Sequence, residues 1–386
     1  MTKYRCHIVA VLVTCLMLTI CLVPTAFAEP EAKAGLDTTA ESAVLMDPVS
    51  GRLLFEKDPD TPRSIASITK IMTMLLAVEA LNDGKLSLDD IITTSDYAAS
   101  MGGSQIYLEP GEEFPFREML ISIATGSAND ASVAVGEHIA GSVEAFVDLM
   151  NQRAKELGCK NTHYVNPTGL PAEGHHSSAR DQALILREAI KYPVFMEMSG
   201  MKEYDLRGGE FKLWNTNKLL WWYRGADSGK TGWTNEASYC LASSAERDNL
   251  RLISVVLACP QPKTHFQESM KLFNWGFARY EAVKLADKGQ VIKTVAVEKG
   301  KHQEVGLITN ASVSVVVPKG ENKGISFHLE LPEQLTAPIE SGAAVGSYIV
   351  TNEGEEILRV DLVSNRQVER LTLWQEIMRV GDEVLK

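Results

Sequence analysis

The amino-acid sequence predicts an α/β (α+β) first domain, a helical cluster packed on an antiparallel sheet, followed by a small all-β sandwich domain and a C-terminal amphipathic helix. Three observations predict it. Helical and extended patterns are mixed from Thr38 to about Ala282. From about Gln290 to Val363 short alternating apolar stretches separated by turn residues take their place. From about Gln367 to Lys386 the apolar residues fall near one helical face. The expected boundaries are 1–28 for a leader, 29–284 for the first domain, 285–364 for the β-rich domain and 365–386 for the terminal helix.

In the leader, Lys3 and Arg5 precede an apolar run from about Ile8 to Val23, and Pro24-Thr25-Ala26-Phe27-Ala28 places small residues where signal peptidase reads. Cleavage is expected after Ala28, which makes the mature chain an exported, extracytoplasmic protein. The competing reading is an uncleaved anchor, but about 16 apolar residues fall short of the roughly 20 a spanning helix needs. Leu18-Thr19-Ile20-Cys21 is a poor lipobox because Ile20 is bulky. The 386 residues carry a formal charge of −12; without the leader, 36 basic face 50 acidic side chains, a balance of −14. A chain so acidic repels phosphate backbones, so no nucleic-acid partner is expected.

Three cysteines leave with the leader, and Cys159, Cys240 and Cys259 remain, too few for a disulfide scaffold. One disulfide plus a free thiol and three buried reduced thiols both fit. No Cys-x-x-Cys or His-x-x-x-His pair occurs, so no metal and no cofactor are expected, and His175-His176 reads as a polar loop.

The first domain opens with Ser42 to Met46 and Arg52 to Phe55 around Pro48-Val49-Ser50-Gly51, a hairpin pattern. Ile65 to Leu81 reads as an apolar helix with Ser67 at its start. Further helices are expected at Phe116 to Ala124, Asp130 to Ala140, Val143 to Leu157 and Ala179 to Ala189, and a strand pair at Tyr239 to Ser243 and Leu250 to Leu257. In the second domain the strands are Val291–Val297, Val305–Thr309, Val313–Val317, Ile325–Leu331, Ser347–Val350 and Ile357–Val363, punctuated by Pro318-Lys319-Gly320 and Asn352-Glu353-Gly354. The terminal helix groups Leu371, Trp374, Met378 and Leu385, and its charged residues sum to −1. Peripheral membrane attachment through 367–386 and docking on the β domain are both open.

Three motifs carry chemistry. Ser67-Ile68-Thr69-Lys70 puts a hydroxyl and an amine three residues apart, on one helical face. A serine needs such a base, and a lysine can serve if burial and a second cation depress its pKa well below about 10.4. Ser67 at a helix start also offers its backbone N–H to a developing oxyanion. Alone the tetrad means little, since about one or two are expected by chance in a chain this long. Ser199-Gly200-Met201-Lys202 also fits, and reads as surface because no apolar helix follows it. Ser127-Ala128-Asn129 lies between two expected helices, and Lys230-Thr231-Gly232 at the edge of an expected strand.

In this order the set resembles the active-site serine penicillin-recognising enzymes, whose signatures are S-x-x-K, S-x-N and K-T-G. Ala66 to Thr73, Tyr107-Leu108-Glu109-Pro110-Gly111, Ser127 to Ala131, Asn166-Pro167-Thr168-Gly169-Leu170, Ser178-Ala179-Arg180-Asp181 and Trp275-Gly276-Phe277 narrow the resemblance to the low-molecular-mass penicillin-binding proteins that act as D-alanyl-D-alanine carboxypeptidases. The resemblance implies a β-lactamase/transpeptidase-like fold for the first domain and a serine peptidase that trims D-alanine from peptidoglycan stem peptides, with β-lactams as covalent inhibitors. It implies Ser67 as nucleophile, Lys70 as base and Ser127 as proton relay, with Asn129 holding Lys70 and the substrate amide. Lys230 would keep the Lys70 pKa low and, with Thr231, attract the terminal carboxylate. Gly232 would let the substrate lie against the strand, and the N–H groups of Ser67 and Trp233 would form the oxyanion hole.

Two competing chemistries fail on spacing. A P-loop needs glycine five positions before Gly229, where Arg224 stands. A class A β-lactamase needs a deacylating glutamate, usually four residues before an asparagine, and no Glu-x-x-x-Asn occurs between Ser127 and Lys230. A sensor that acylates without turnover is a third reading; catalytic D-alanine release separates it. Family members often carry an arginine after the strand that follows K-T-G, whereas Cys259 to His265 offers only Lys263 and His265. Trp233 is expected to pack on the cleft wall, and Trp221-Trp222-Tyr223 to form a partly exposed apolar wall.

Overall fold

The computed structural model describes residues 36–384, so the expected leader 1–28, its cleavage point after Ala28 and Leu385 lie outside the described residues. The central sheet has five antiparallel strands, β1 (Ser42–Met46), β2 (Leu53–Lys57), β3 (Ala226–Thr234), β4 (Ser238–Arg247) and β5 (Leu250–Cys259), in the spatial order β2-β1-β5-β4-β3. The expected hairpin forms because Asp47 folds back on its own turn, accepting from Val49 N at 2.9 Å. One face of the sheet, with Val44, Met46, Ala242, Val255 and Leu257, packs into the core of the helical cluster.

The cluster contains α1 (Lys70–Asn82), α2 (Phe116–Thr125), α3 (Asn129–Ala140), α4 (Val143–Glu156) and α5 (Ala179–Ala189). α1 is apolar nearly all round and is buried on most of its surface, as a central helix must be. α4 and α5 start where Ser142 and Ser178 cap them, accepting from Ala145 N and Asp181 N. On the other face of the sheet lies α6 (Thr264–Arg279), whose Gly276 allows close approach to Leu45 and Leu252.

The expected single helix from Ile65 to Leu81 is two elements. Ala66–Thr69 is a 3-10 turn and the α-helix begins at Lys70. Ala66 stands at φ +47°, a left-handed value that cannot continue an α-helix.

The second domain holds β6 (Tyr280–Ala286), β7 (Val291–Glu298), β8 (Glu304–Thr309), β9 (Val313–Pro318), β10 (Ile325–Glu330), β11 (Leu335–Thr336), β12 (Ala344–Asn352) and β13 (Glu355–Ser364). β6 pairs with β9, and the remaining strands form a six-stranded sheet ordered β10-β12-β13-β8-β7-β11. The boundary expected after residue 284 lies within β6, which begins at Tyr280 and pairs with β9. The sequence hides this because β6 follows α6 with no turn residue between them. The terminal helix is also shorter than expected. Val368 bridges Ile339 and Arg370 bridges Gly300, so this stretch is extended against the β domain, and α7 (Leu373–Val384) starts after Thr372, whose Oγ1 accepts from Gln375 N. Among the described residues no helix is long and apolar enough to cross a membrane.

Candidate active site

Ser67 is half-exposed in a turn whose other members, Ala66, Ile68 and Thr69, are buried. Two glycines hold that turn by close approach. A Cβ on Gly169, at φ +81°, would lie 1.9 Å from the Ala66 carbonyl oxygen, and a Cβ on Gly232 would lie 2.5 Å from that of Ile65 and 3.1 Å from Ser67 N. The packing of β3 on the Ser67 turn is thus one reason a side chain is not accommodated at Gly232.

Lys70 is fully buried and its Nζ has three partners: Ser67 Oγ at 3.0 Å, Asn129 Oδ1 at 2.7 Å and the Thr168 carbonyl at 2.7 Å. The last two can only accept. A neutral amine has two hydrogens, and these two acceptors take both, so its lone pair is left for Ser67 Oγ, the one partner able to donate. Burial, then the charge of Lys230, hold the Lys70 pKa well below the ordinary lysine value, opposed by Asp130. Asp130 is itself pushed up by burial, while amides including those of Leu108, Ala131 and Ile106 oppose the shift.

Ser127 sits in the turn between α2 and α3 at φ +62°, a sparsely populated conformation for serine of the kind that collects at functional sites. Asn129 opens α3; its Nδ2 donates to Gly102 O at 2.6 Å, which turns Oδ1 toward Lys70. On β3, Lys230 is buried, and burial lowers its pKa to about 7. Its neighbour Thr231 donates to Thr216 Oγ1 at 2.7 Å. A cleft of about 430 Å³ joins Ser67, Ser127, Thr216, Thr231, Gly232 and Trp233. A larger hollow of about 680 Å³, lined by Ile91, Tyr97 and Glu137 among others, holds none of the three motifs.

Several expectations need correction. Trp233 is 55% exposed at the cleft mouth rather than packed into its wall, with its ring 6.1 Å from that of Tyr239. Ser199 is buried, not on the surface: its Oγ bonds Ser228 Oγ at 2.7 Å, because the helix Pro193–Gly200 packs on β3. Lys202 is exposed, so the two ends of that tetrad do not meet. The partly exposed wall expected at Trp221-Trp222-Tyr223 needs no such correction, since Trp221 and Trp222 are exposed while Tyr223 is buried. Of the two open cysteine readings the reduced one holds: Cys159, Cys240 and Cys259 are free thiols, Cys240 and Cys259 buried and Cys159 partly exposed.

His175 lies in a loop, as expected, but not at the surface. It is buried, its Nδ1 accepts from Val165 N at 3.1 Å, and Nε2 therefore carries the proton and donates to Thr69 Oγ1 at 2.8 Å. Burial, with lesser contributions from His163, His176 and Lys70, lowers its pKa to about 4, so it braces the Ala66–Thr69 turn as a neutral ring. The Thr168 carbonyl beside Lys70 and the Thr216 hydroxyl beside Thr231 join the site without a motif of their own; Thr168 lies in the Asn166–Leu170 segment, whereas no sequence signal marks Thr216.

A family profile described as D-alanyl-D-alanine carboxypeptidase matches residues 27–261, and one described as the penicillin-binding protein 5 C-terminal domain matches 280–370. The chain is 42% identical over 353 residues to D-alanyl-D-alanine carboxypeptidase DacF of Bacillus subtilis, covering 90% of this chain and 91% of that one. It is 36% identical over 354 residues to D-alanyl-D-alanine carboxypeptidase DacC of Escherichia coli, covering 90% and 88%. Among solved structures, penicillin binding protein 5 from Haemophilus influenzae superposes with a TM-score of 0.69 at 32% identity, over 87% of this chain and 99% of that one.

Proposed function

The chain belongs to the D-alanyl-D-alanine carboxypeptidase family of serine peptidases, and from that premise we propose that it removes the terminal D-alanine from peptidoglycan pentapeptide stems through an acyl-enzyme on Ser67. The buried Lys70 supports this most directly, because its two acceptor-only partners leave a neutral amine's lone pair aimed at the Ser67 hydroxyl.

In the forward step Lys70 takes the Ser67 proton as Oγ attacks the carbonyl between the two D-alanines. The N–H groups of Ser67 and Trp233 stabilise the oxyanion, and Ser127 passes a proton to the leaving amine. Asn129 keeps Lys70 in place, and Thr231 with Lys230 receives the terminal carboxylate. Water then hydrolyses the ester, releasing a tetrapeptide stem. Loss of the terminal D-alanine removes the donor that transpeptidases need, so the activity limits cross-linking. β-Lactams acylate Ser67 and are released slowly, since the glutamate of class A β-lactamases has no counterpart in the expected spacing. We place the mature chain outside the cytoplasm, held peripherally on the membrane through α7.

The test is D-alanine released per enzyme from a peptide ending in D-Ala-D-Ala, with residues 29–386 and the Ser67→Ala variant. Many turnovers, abolished by the substitution, are expected. One equivalent or none, with β-lactam labelling intact, would replace the enzyme by a sensor.

A further inference from the structure

Lys230 and Thr231 receive the terminal carboxylate, but neither motif lysine carries a full charge at neutral pH, so a second cation beside them would complete its recognition. Lys70 must be neutral to act as base, and Lys230 is held at about 7, so much of its charge is gone at neutral pH. The segment after β5 holds no arginine. Lys263 is exposed and does not line the cleft; His265 does line it, but burial lowers its pKa to about 4 and leaves it uncharged.

We propose that Lys218 is the specificity-determining cation of this cleft, recognising the substrate's terminal carboxylate beside Thr231. Lys218 lines the cleft together with Thr231 and with Thr216, the hydroxyl partner of Thr231. It is half-buried, and no Asp or Glu is among the described residues lining the cleft. Lys218 makes no ion pair with any described residue. Its Nζ donates to Asn215 O at 2.8 Å and rests 4.7 Å from the centre of the Trp221 ring. These contacts hold the side chain while using one of its three N–H donors, so a carboxylate meets an ammonium already partly fixed in place. Lys218 touches the carboxylate and not the reacting atoms, so its loss weakens recognition more than chemistry.

The inference rests on the carboxypeptidase reading, and the test separates the two. Acylation of Ser67 by benzylpenicillin and by its methyl ester is timed for the wild-type chain and for Lys218→Met and Lys218→Arg. Lys218→Met keeps an apolar stem over Trp221 and is expected to slow acylation by the free acid about tenfold while leaving the ester rate unchanged. Lys218→Arg is expected to restore most of the loss. With a D-Ala-D-Ala peptide, KM rises about tenfold in Lys218→Met and kcat stays within about twofold. Equal slowing of acid and ester, or no change in either, overturns the assignment. A wild-type chain that is acylated but releases no D-alanine overturns the carboxypeptidase reading and leaves the Lys218 result standing.

Discussion

The Lys70 amine nitrogen lies 2.7 Å from Asn129 Oδ1, an oxygen that can only accept. Replacing that amide by a carboxylate is therefore a direct test of the protonation state on which acylation depends. Asn129→Asp sets a negative charge against Lys70 and favours the ammonium, raising the Lys70 pKa. The acid limb of kcat/KM is expected to move to higher pH, with activity at pH 7 lowered about tenfold. Asn129→Ala removes an acceptor and adds no charge, so its rate falls without an alkaline shift. A pH–rate profile of both variants checks this, and an unshifted limb in Asn129→Asp would mean that Lys70 is not the titrating base.

Lys230 sets function against stability. Its folded pKa of about 7 lies below the roughly 10.4 of an unfolded lysine, so across that window the unfolded chain binds more protons than the native one. Its contribution to stability consequently rises with pH through the window, and the full penalty of burying the charge is present below about 7. Lys230→Met removes the penalty. Thermal melts are expected to show the variant more stable than wild type at pH 6, with the gain shrinking toward pH 10, while acylation falls at every pH. A stability gain that grows with pH would contradict the assigned direction.

How much of this was legible in the sequence depends on the range of the contacts. The Ser67–Lys70 pair, the β1–β2 hairpin and α5 with its Ser178 cap are local, and periodicity with capping chemistry locates each of them. The start of α1 at Lys70 is not local: Ala66 carries the left-handed φ beside the backbone of Gly169, more than a hundred positions along the chain. His175 reaches Thr69 across 106 positions and the Thr168 carbonyl reaches Lys70 across 98. No window of sequence shows such pairings, so the braces of the nucleophile turn emerge only from the fold.

Gly232 makes a measurable claim about that turn. An added methyl would stand 2.5 Å from the Ile65 carbonyl oxygen, a backbone atom that no rotamer change can move aside. Gly232→Ala must push β3 away from Ser67, and a displacement near 1 Å at a reacting centre costs about a hundredfold in rate. Acylation by a fluorescent penicillin is expected to fall by that factor, with a lower melting temperature. Wild-type acylation in this variant would show that β3 can yield without disturbing the nucleophile.

The apolar face of α7 bears on where the protein works. Leu373, Trp374, Ile377 and Met378 are all more than half exposed, four large apolar side chains on one short helix. Leaving that face in water is unfavourable by about 1.5–3 kcal/mol per side chain, and a bilayer interface would recover much of it. The charged residues of the terminal segment sum to −1, so attraction to anionic lipid adds nothing. Residues 29–386 are therefore expected to co-sediment with zwitterionic vesicles, no more strongly with anionic ones, and with little sensitivity to salt. Trp374→Glu together with Ile377→Glu should release the protein from vesicles and leave D-alanine release from a soluble peptide unchanged, because neither residue lines the cleft. Vesicle binding that survives the double substitution would remove α7 as the attachment, and binding that collapses in high salt would assign it to charge instead.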